Sequence, residues 1–334
     1  MNITTLNTTT LDGGVIIKKG GGGGGGTTPS KPKWTGHADA EGLKAIGWTD
    51  EDIAYYQENG VNWNEEDDEW HKVTEDNKAL YGVLTASNIS SYKDRIVYLP
   101  KIDTSGKTSM YNMFNGCYSL TAIPMLDTSS VANMSNMFYN CYSLTAIPML
   151  NTSSVTNMGA MFSGCRSLVS IPMLDTSKVI YMTSMFGNCY SLTAIPMLDT
   201  SKVTDIGGMF NGCYSLTVIP MLDTSSVTNM DNMFYNCFSL TAIPMLDTSK
   251  GANMGYMFYY CPSLTHANLK NVKLALDLSS AALLAKDSLL YLINNEAATS
   301  AITIKLASYA YTRLANDPDI VAALANHPNI SISK

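Results

Sequence analysis

The sequence predicts a repeat solenoid: short parallel strands with short helical return legs on a 24-residue period, ended by an α+β C-terminal cap. Three observations predict it. Cysteine recurs at Cys117, Cys141, Cys165, Cys189, Cys213, Cys237 and Cys261, always 24 residues apart. The residues between repeat as well, as approximately C-Y-S-L-T-A-I-P-M-L-D-T-S-K-V-T-N-M-x-x-M-F-x-x, with apolar residues held at fixed places. One such unit cannot bury its apolar residues alone, so copies must stack on either side of it.

The chain divides into four segments. Residues 1–33 are a Thr- and Asn-rich leader with one apolar patch, Val15-Ile16-Ile17, followed by seven glycines from Gly20 to Gly26. Polyglycine has no side chain to pack and maximal backbone entropy, so it reads as a hinge, and the leader reads either as an attachment peptide or as a plain tail. Residues 34–92 form a small acidic module that holds all four tryptophans, Trp34, Trp48, Trp63 and Trp70. Short helices are expected from Asp39 to Ile46, stopped by Gly47, and from Thr49 onward, with Asp50, Glu51 and Asp52 in the first turn. The array occupies 93–273, with seven full units over 93–260 and a partial one from Cys261; Lys93 stands at the first cysteine place and Lys101 at the first methionine place. Residues 274–334 make an α/β cap. Its expected helices are 287–294, 309–316 and 319–326, the last after Pro318, and its expected strands are 301–306 and 329–333.

Within a unit the expected core places are Cys117, Leu120, Ile123, Met125, Val131, Met134, Met137 and Phe138. The segment 120–125 has the L-x-x-L-x-L spacing of a leucine-rich-repeat strand, whose period of two sends Ala122 and Pro124 outward. Pro124 deletes one ladder hydrogen bond per unit, so the strand is short. Residues 133–138 are expected to return as a helical turn with Met134, Met137 and Phe138 inward. The methionines are read as filling between layers, because a thioether adapts to irregular gaps. Asp127-Thr128-Ser129 recurs in each later unit, once with Asn151 in place of the aspartate, and an amide there keeps Asx-turn geometry while giving up charge. That favours turn capping over a row of cation ligands. The cysteines form a parallel row about 5 Å apart, the spacing of adjacent strands, with side chains pointing the same way. Such a row gives neither a disulfide framework nor, without C-x-x-C or suitably spaced histidine, a zinc site.

The candidate binding surface is the row after the cysteines: Tyr118, Tyr142, Arg166, Tyr190, Tyr214 and Phe238. Tyrosine combines large area, low entropy cost and a hydroxyl, which suits a protein or glycan partner; the alternative is that the rings merely cover the neighbouring return leg. Trp34, Trp48, Trp63 and Trp70 are a secondary candidate, either as the module's core or as stacking platforms for sugar rings. A net charge of −7 argues against a nucleic-acid partner. Neither an export signal, a lipid-accepting cysteine near the start, nor a run of about 18 apolar residues is found, so no membrane insertion is expected. The histidines His37, His71, His266 and His327 are scattered, and no catalytic group, cofactor site or metal site is expected.

The units D-T-S-S-V-T-N-M-x-x-M-F-x-x-C-x-S-L-T-x-I-P resemble the BspA-like leucine-rich repeats of bacterial surface proteins, over 93–260 without a register slip. Trp34-Thr35-Gly36-His37, Gly42-Leu43, Ile46-Gly47-Trp48 and the tail 289–328 are similar to segments that accompany such repeats in proteins of gut bacteria and their phages. The resemblance implies a non-enzymatic adhesion or recognition protein. Lacking the family's signal and lipid anchor, the chain is expected as a phage tail or fibre-associated virion protein that contacts a bacterial surface protein or glycan, its leader meeting other virion proteins. The alternatives are a bacterial cell-surface or secreted adhesin, or a structural spacer that carries the Trp-rich module.

Overall fold

The computed structural model describes residues 104–251 and 253–334, together with Ile89, Lys93 and five short strand segments before them. Those segments are β1 (Ile16–Ile17), β2 (Asn62–Asn64), β3 (Glu69–His71), β4 (Gly82–Val83) and β5 (Ile96–Tyr98). β1 pairs antiparallel with β5, and β2 lies between β3 and β4 with Trp63 opposite Trp70 in the backbone register. The polyglycine run, Trp34, Trp48 and the two helices expected before residue 62 lie outside the described residues.

From residue 104 the chain winds as stacked coils of 24 residues, and the return leg shows how. In the second full unit Met134, Asn136, Phe138 and Asn140 donate their N–H groups to the carbonyls of Asn157, Gly159, Met161 and Ser163 in the next unit, at 2.7–2.9 Å. The intervening Met137, Tyr139 and Cys141 donate to the carbonyls three residues back, at 3.0–3.1 Å, and Ser135 N–H donates to Asn133 Oδ1 at 2.9 Å. Every backbone donor from Met134 to Cys141 therefore has a partner, as burial requires. Asn136 (φ 55°) and Asn140 (φ 60°) are left-handed at the third place of turns 134–137 and 138–141, the type II arrangement. The leg is thus a chain of reverse turns where a short helical turn was expected, because an α-helix would spend these N–H groups within the unit and leave none for its neighbour.

The third place of the second turn alternates between asparagine and glycine along the array: Asn140, Gly164, Asn188, Gly212, Asn236. A Cβ on Gly212 (φ +73°) would lie 2.6 Å from Asn188 Oδ1, so the Asn188 amide, like that of Asn140 beside Gly164, occupies the space its neighbour's missing side chain leaves.

On the opposite leg the expected strand 120–125 is corrected. Leu120, Ile123 and Leu126 are buried, whereas Met125 is 67% exposed, so the inward period is three and not two. Three residues per turn is the period of the polyproline II conformation, which Pro124 favours. With prolines stacked in register, neighbouring legs cannot form a ladder. One strand pair does form, where Asn268 stands at the place of Pro244: β6 (Ala242–Asp247) pairs parallel with β7 (His266–Lys270), with an irregularity between Ile243 and Leu246 around Pro244. On the turn leg single parallel bridges link Ser109, Asn133, Asn157, Tyr181, Asp205, Asn229 and Asn253 in turn.

Inside, each side chain meets its own copy. Phe114, Phe138, Phe162, Phe186, Phe210, Phe234 and Phe258 are buried and stack with centroids 5.3–5.8 Å apart and planes within 6–9°. All seven cysteines are buried, and none is in a disulfide. Cys141 Sγ donates to the Phe114 carbonyl at 3.1 Å, which also accepts Cys117 N–H at 3.0 Å; the same pair of bonds recurs up to Cys261. A thiol is small enough for this place and supplies the second donor that the carbonyl needs. Burial first, and neighbouring thiols second, push Cys165 well above the ordinary thiol range, and burial pushes Cys261 up to about 12.

The array ends in β8 (Leu276–Leu278), α1 (Lys286–Asn294), β9 (Ile302–Leu306), α2 (Ser308–Leu314), α3 (Pro318–Asn326) and β10 (Ile330–Ser333), with sheet order β10-β9-β8, all parallel. Helix α3 starts where Asp317 accepts Asp319 N–H at 3.0 Å and Pro318 takes the first turn, and Lys286 Nζ bridges Asp317 (2.9 Å) and Asp319 (2.6 Å). Leu289, Leu292 and Ile293 of α1 continue the array's core, which runs unbroken among the described residues from Ile89 to Ile330.

The aspartates are the corners of the coil. Asp175, Asp199 and Asp223 each accept the N–H and hydroxyl of the serine two residues on, at 2.6–3.0 Å, and Asn151 accepts the same pair from Ser153. This is the expected Asx turn. Those serine bonds hold the three carboxyls below the usual range. At Asp247 burial pushes the carboxyl up but is outweighed by the Asn271 amide (2.9 Å), Ser249 and Lys270 (3.2 Å), leaving it at about 2.

Two outcomes follow from this packing. Phe186→Ala, which strips a ring from between Phe162 and Phe210, is expected to cost about 3–5 kcal/mol in urea unfolding. Because folding lowers the aspartate pKa values, their contribution is complete above the unfolded value near 4 and is lost as pH falls toward about 2. A circular-dichroism titration should show thermal stability dropping across that window, less steeply in Asp247→Asn.

Candidate recognition surfaces

The expected tyrosine row is one continuous stack. Tyr118 and Tyr142 lie 5.0 Å apart at 25°, Tyr190 and Tyr214 4.5 Å apart at 5°, and Tyr214 and Phe238 5.0 Å apart at 40°. Arg166 fills the gap between the two tyrosine pairs, its guanidinium 4.2 Å from the Tyr142 centroid and 5.3 Å from that of Tyr190. The planar cation is thus sandwiched by two ring faces, where it replaces an aromatic ring without breaking the stack. The row is only partly exposed, at 39% for Tyr118 and 41% for Phe238. Since internal ring faces are covered by neighbours, the ridge offers edges and hydroxyls. Burial, then the charge and hydrogen bond of the adjoining Tyr190 phenol, push the Tyr214 phenol up, so it stays a hydrogen-bonding group across physiological pH. Four phenol hydroxyls and one guanidinium on a rigid aromatic rail suit a polar, extended partner.

The sequence reading missed a second row. Met125, Met149, Met173, Met197, Met221 and Met245 stand outside, 67% to 41% exposed, and form an apolar stripe with one thioether per unit. The signal was the leucine that follows each of these methionines: Leu126 and its copies take the inward place. The other methionines, such as Met134, Met137 and Met158, are buried as expected.

Of the secondary candidates, Trp63 and Trp70 sit opposite each other on β2 and β3, and Trp34 and Trp48 lie outside the described residues. Among the described residues no three His, Cys, Asp or Glu side chains converge as a metal site, and no helix is long and apolar enough to cross a membrane. Thr265 Oγ1 lies 2.9 Å from His266 Nδ1, and His266 Nε2 lies 3.4 Å from Asp287. This is no nucleophile relay, because the Thr265 hydroxyl donates its proton to the Thr241 carbonyl at 2.8 Å.

The coiled stack, with inward Leu, Ile and Leu, a short parallel pairing and a strand-and-helix end, defines a solenoid of the leucine-rich-repeat class. The family described as "Mycoplasma protein of unknown function, DUF285" matches residues 108–216 and 191–282, together just over half of the chain, and the chain belongs to that family. Among solved structures, a leucine-rich repeat protein of T. pallidum is similar at 19% identity over 57% of this chain and 78% of its own, with a TM-score of 0.38. The TLR13–ssRNA13 complex is similar at 12% identity over 76% of this chain and 45% of its own, with a TM-score of 0.23. No curated protein matches.

The two sulfur rows should separate chemically. Dilute hydrogen peroxide is expected to convert the six outward methionines to sulfoxides, with Met134 and its inward copies spared and the fold retained. A maleimide should label none of the seven cysteines until denaturant is added. Peptide mass spectrometry reads both.

Proposed function

We propose that the chain is a non-enzymatic recognition protein whose aromatic ridge, from Tyr118 through Arg166 to Phe238, contacts a surface protein or glycan of a bacterial cell. The observation that carries this reading is the ridge itself: six side chains in one stack, locked by their neighbours before any partner arrives. A surface already ordered loses little further side-chain entropy on binding, and its hydroxyls stand in fixed register. The finer reading is a phage tail or fibre-associated protein, with the array as the contact module and the leader, beyond the polyglycine run, meeting other virion proteins. The resemblance of the Trp34 and C-terminal segments to those of gut-phage proteins supports it. A bacterial cell-surface adhesin is the second reading, favoured by the family's description from Mycoplasma.

The test is labelled full-length protein on a panel of capsulated and acapsular gut bacteria, scored by flow cytometry beside a variant with Tyr142, Tyr190 and Tyr214 changed to serine. Strain-selective binding that falls at least tenfold in the variant supports the ridge. Binding kept by the variant moves recognition to another face, and binding to no strain favours the spacer role. Recovery of the native protein in purified particles, as against the envelope of uninfected cells, decides between the two readings of its location.

A further inference from the structure

The last unit breaks the rules of the turn leg at two places. In the six units before it, the third position of the first turn is Asn, Ala, Ser or Gly, and that of the second turn is only Asn or Gly, all with positive φ. The last unit puts Tyr256 (φ 53°) and Tyr260 (φ 57°) there. A bulky side chain is rarely found in this left-handed conformation, and strain of this kind collects where a site needs a side chain in that position.

Tyr256 helps to build an open surface cavity of about 540 Å³, lined by Asn211, Asp231, Asn232, Tyr235, Tyr256 and Tyr259. Tyr256 and Tyr259 stand edge to face, 5.7 Å apart at 85°, and form two walls at right angles. Tyr259 is backed by Tyr235 (5.4 Å, 21°) and buttressed by Tyr260 (4.4 Å, 70°). Tyr256 is 62% exposed, its ring unburied by any partner. On the polar side, Asn232 Nδ2 donates to Asp231 Oδ2 at 2.6 Å, which fixes the carboxylate in place. The lining carries no Lys or Arg, so nothing in it selects an anion.

We infer that this cavity is a carbohydrate-binding site for a neutral sugar, separate from the aromatic ridge. A flat ring suits the apolar face of a pyranose, and the upright Tyr256 ring sets that face at a right angle to a second aromatic wall. The Asp231 carboxylate accepts from sugar hydroxyls, while the Asn211 and Asn232 amides both donate and accept. The volume falls within the ordinary range for small-ligand sites. Because the first six units keep Asn, Gly, Ala or Ser at the strained positions, the array holds one such site, at its C-terminal end.

The experiment is a printed array of neutral, sialylated and sulfated glycans probed with the full chain, followed by titration of the strongest neutral hit with native protein, Tyr256→Asn and Tyr260→Asn. Both variants restore the residue found in the preceding unit, Asn232 or Asn236, so their melting temperature should equal or exceed that of the native chain. Neutral glycans bound by the native chain and weakened at least tenfold by Tyr256→Asn, with binding unchanged in the Tyr142, Tyr190 and Tyr214 serine variant, is the expected result. An empty array, selective capture of charged glycans, binding undiminished in Tyr256→Asn, or displacement of the sugar by tetramethylammonium at equal concentration would overturn the assignment. Loss of cell binding in the ridge variant with glycan binding intact separates the two sites.

Discussion

Translation by one unit governs this molecule: at most places of the core, the neighbour of a side chain above and below is its own copy. A ring must stack on a ring, a thiol must sit beside a thiol, and a proline must face a proline. Residues that tolerate their own company are therefore the ones used inside. Phenylalanine does so through parallel faces 5.3–5.8 Å apart, and cysteine through a bond to the phenylalanine carbonyl of the unit before. Charge tolerates it poorly. The aspartate row survives because each carboxylate is committed to its own serine, and the third unit relieves it with Asn151.

The same rule shapes the outside. Tyrosines that would each be a separate contact become one rail, and an arginine enters the rail because its plane stacks as a ring does. Stacked prolines remove the ladder from one leg, and the turn leg takes over the pairing through N–H groups aimed at the next unit. The surface thus has a rigid aromatic line and an apolar stripe, each with one element per unit, while individuality is confined to the turns. At the C-terminal end that individuality gathers into an open cavity.

Much of this was legible in the chain. The cysteine period gave the solenoid, and Pro318 marked the start of α3 to within one residue. Two readings failed for identifiable reasons. Leu120 to Met125 fits a period of two and Leu120 to Leu126 a period of three, and only the proline could have told them apart. Met134, Met137 and Phe138 have the i, i+3, i+4 spacing of a helix face, which successive type II turns also produce; the recurring asparagine or glycine before the cysteine, from Gly116 to Asn236, was the distinguishing mark. The tyrosines at 256 and 260 carry no signal until the left-handed backbone beneath them is known. The ridge was legible as a row, but that ring faces close on one another and leave edges outside depends on side-chain angles no pattern encodes.

Each coil bonds the next through the same donors and acceptors, Met134 to Asn157 being repeated as Met158 to Tyr181 and Met182 to Asp205. An interface that is identical at every level does not know how many levels there are. A copy of one unit could be inserted, or one removed, by recombination between the near-identical repeats, and the surviving coils would close on each other with no new contact to invent. Reach then becomes a heritable quantity that changes in whole steps of one ring spacing, while the end that bears the cavity is carried outward or inward unchanged.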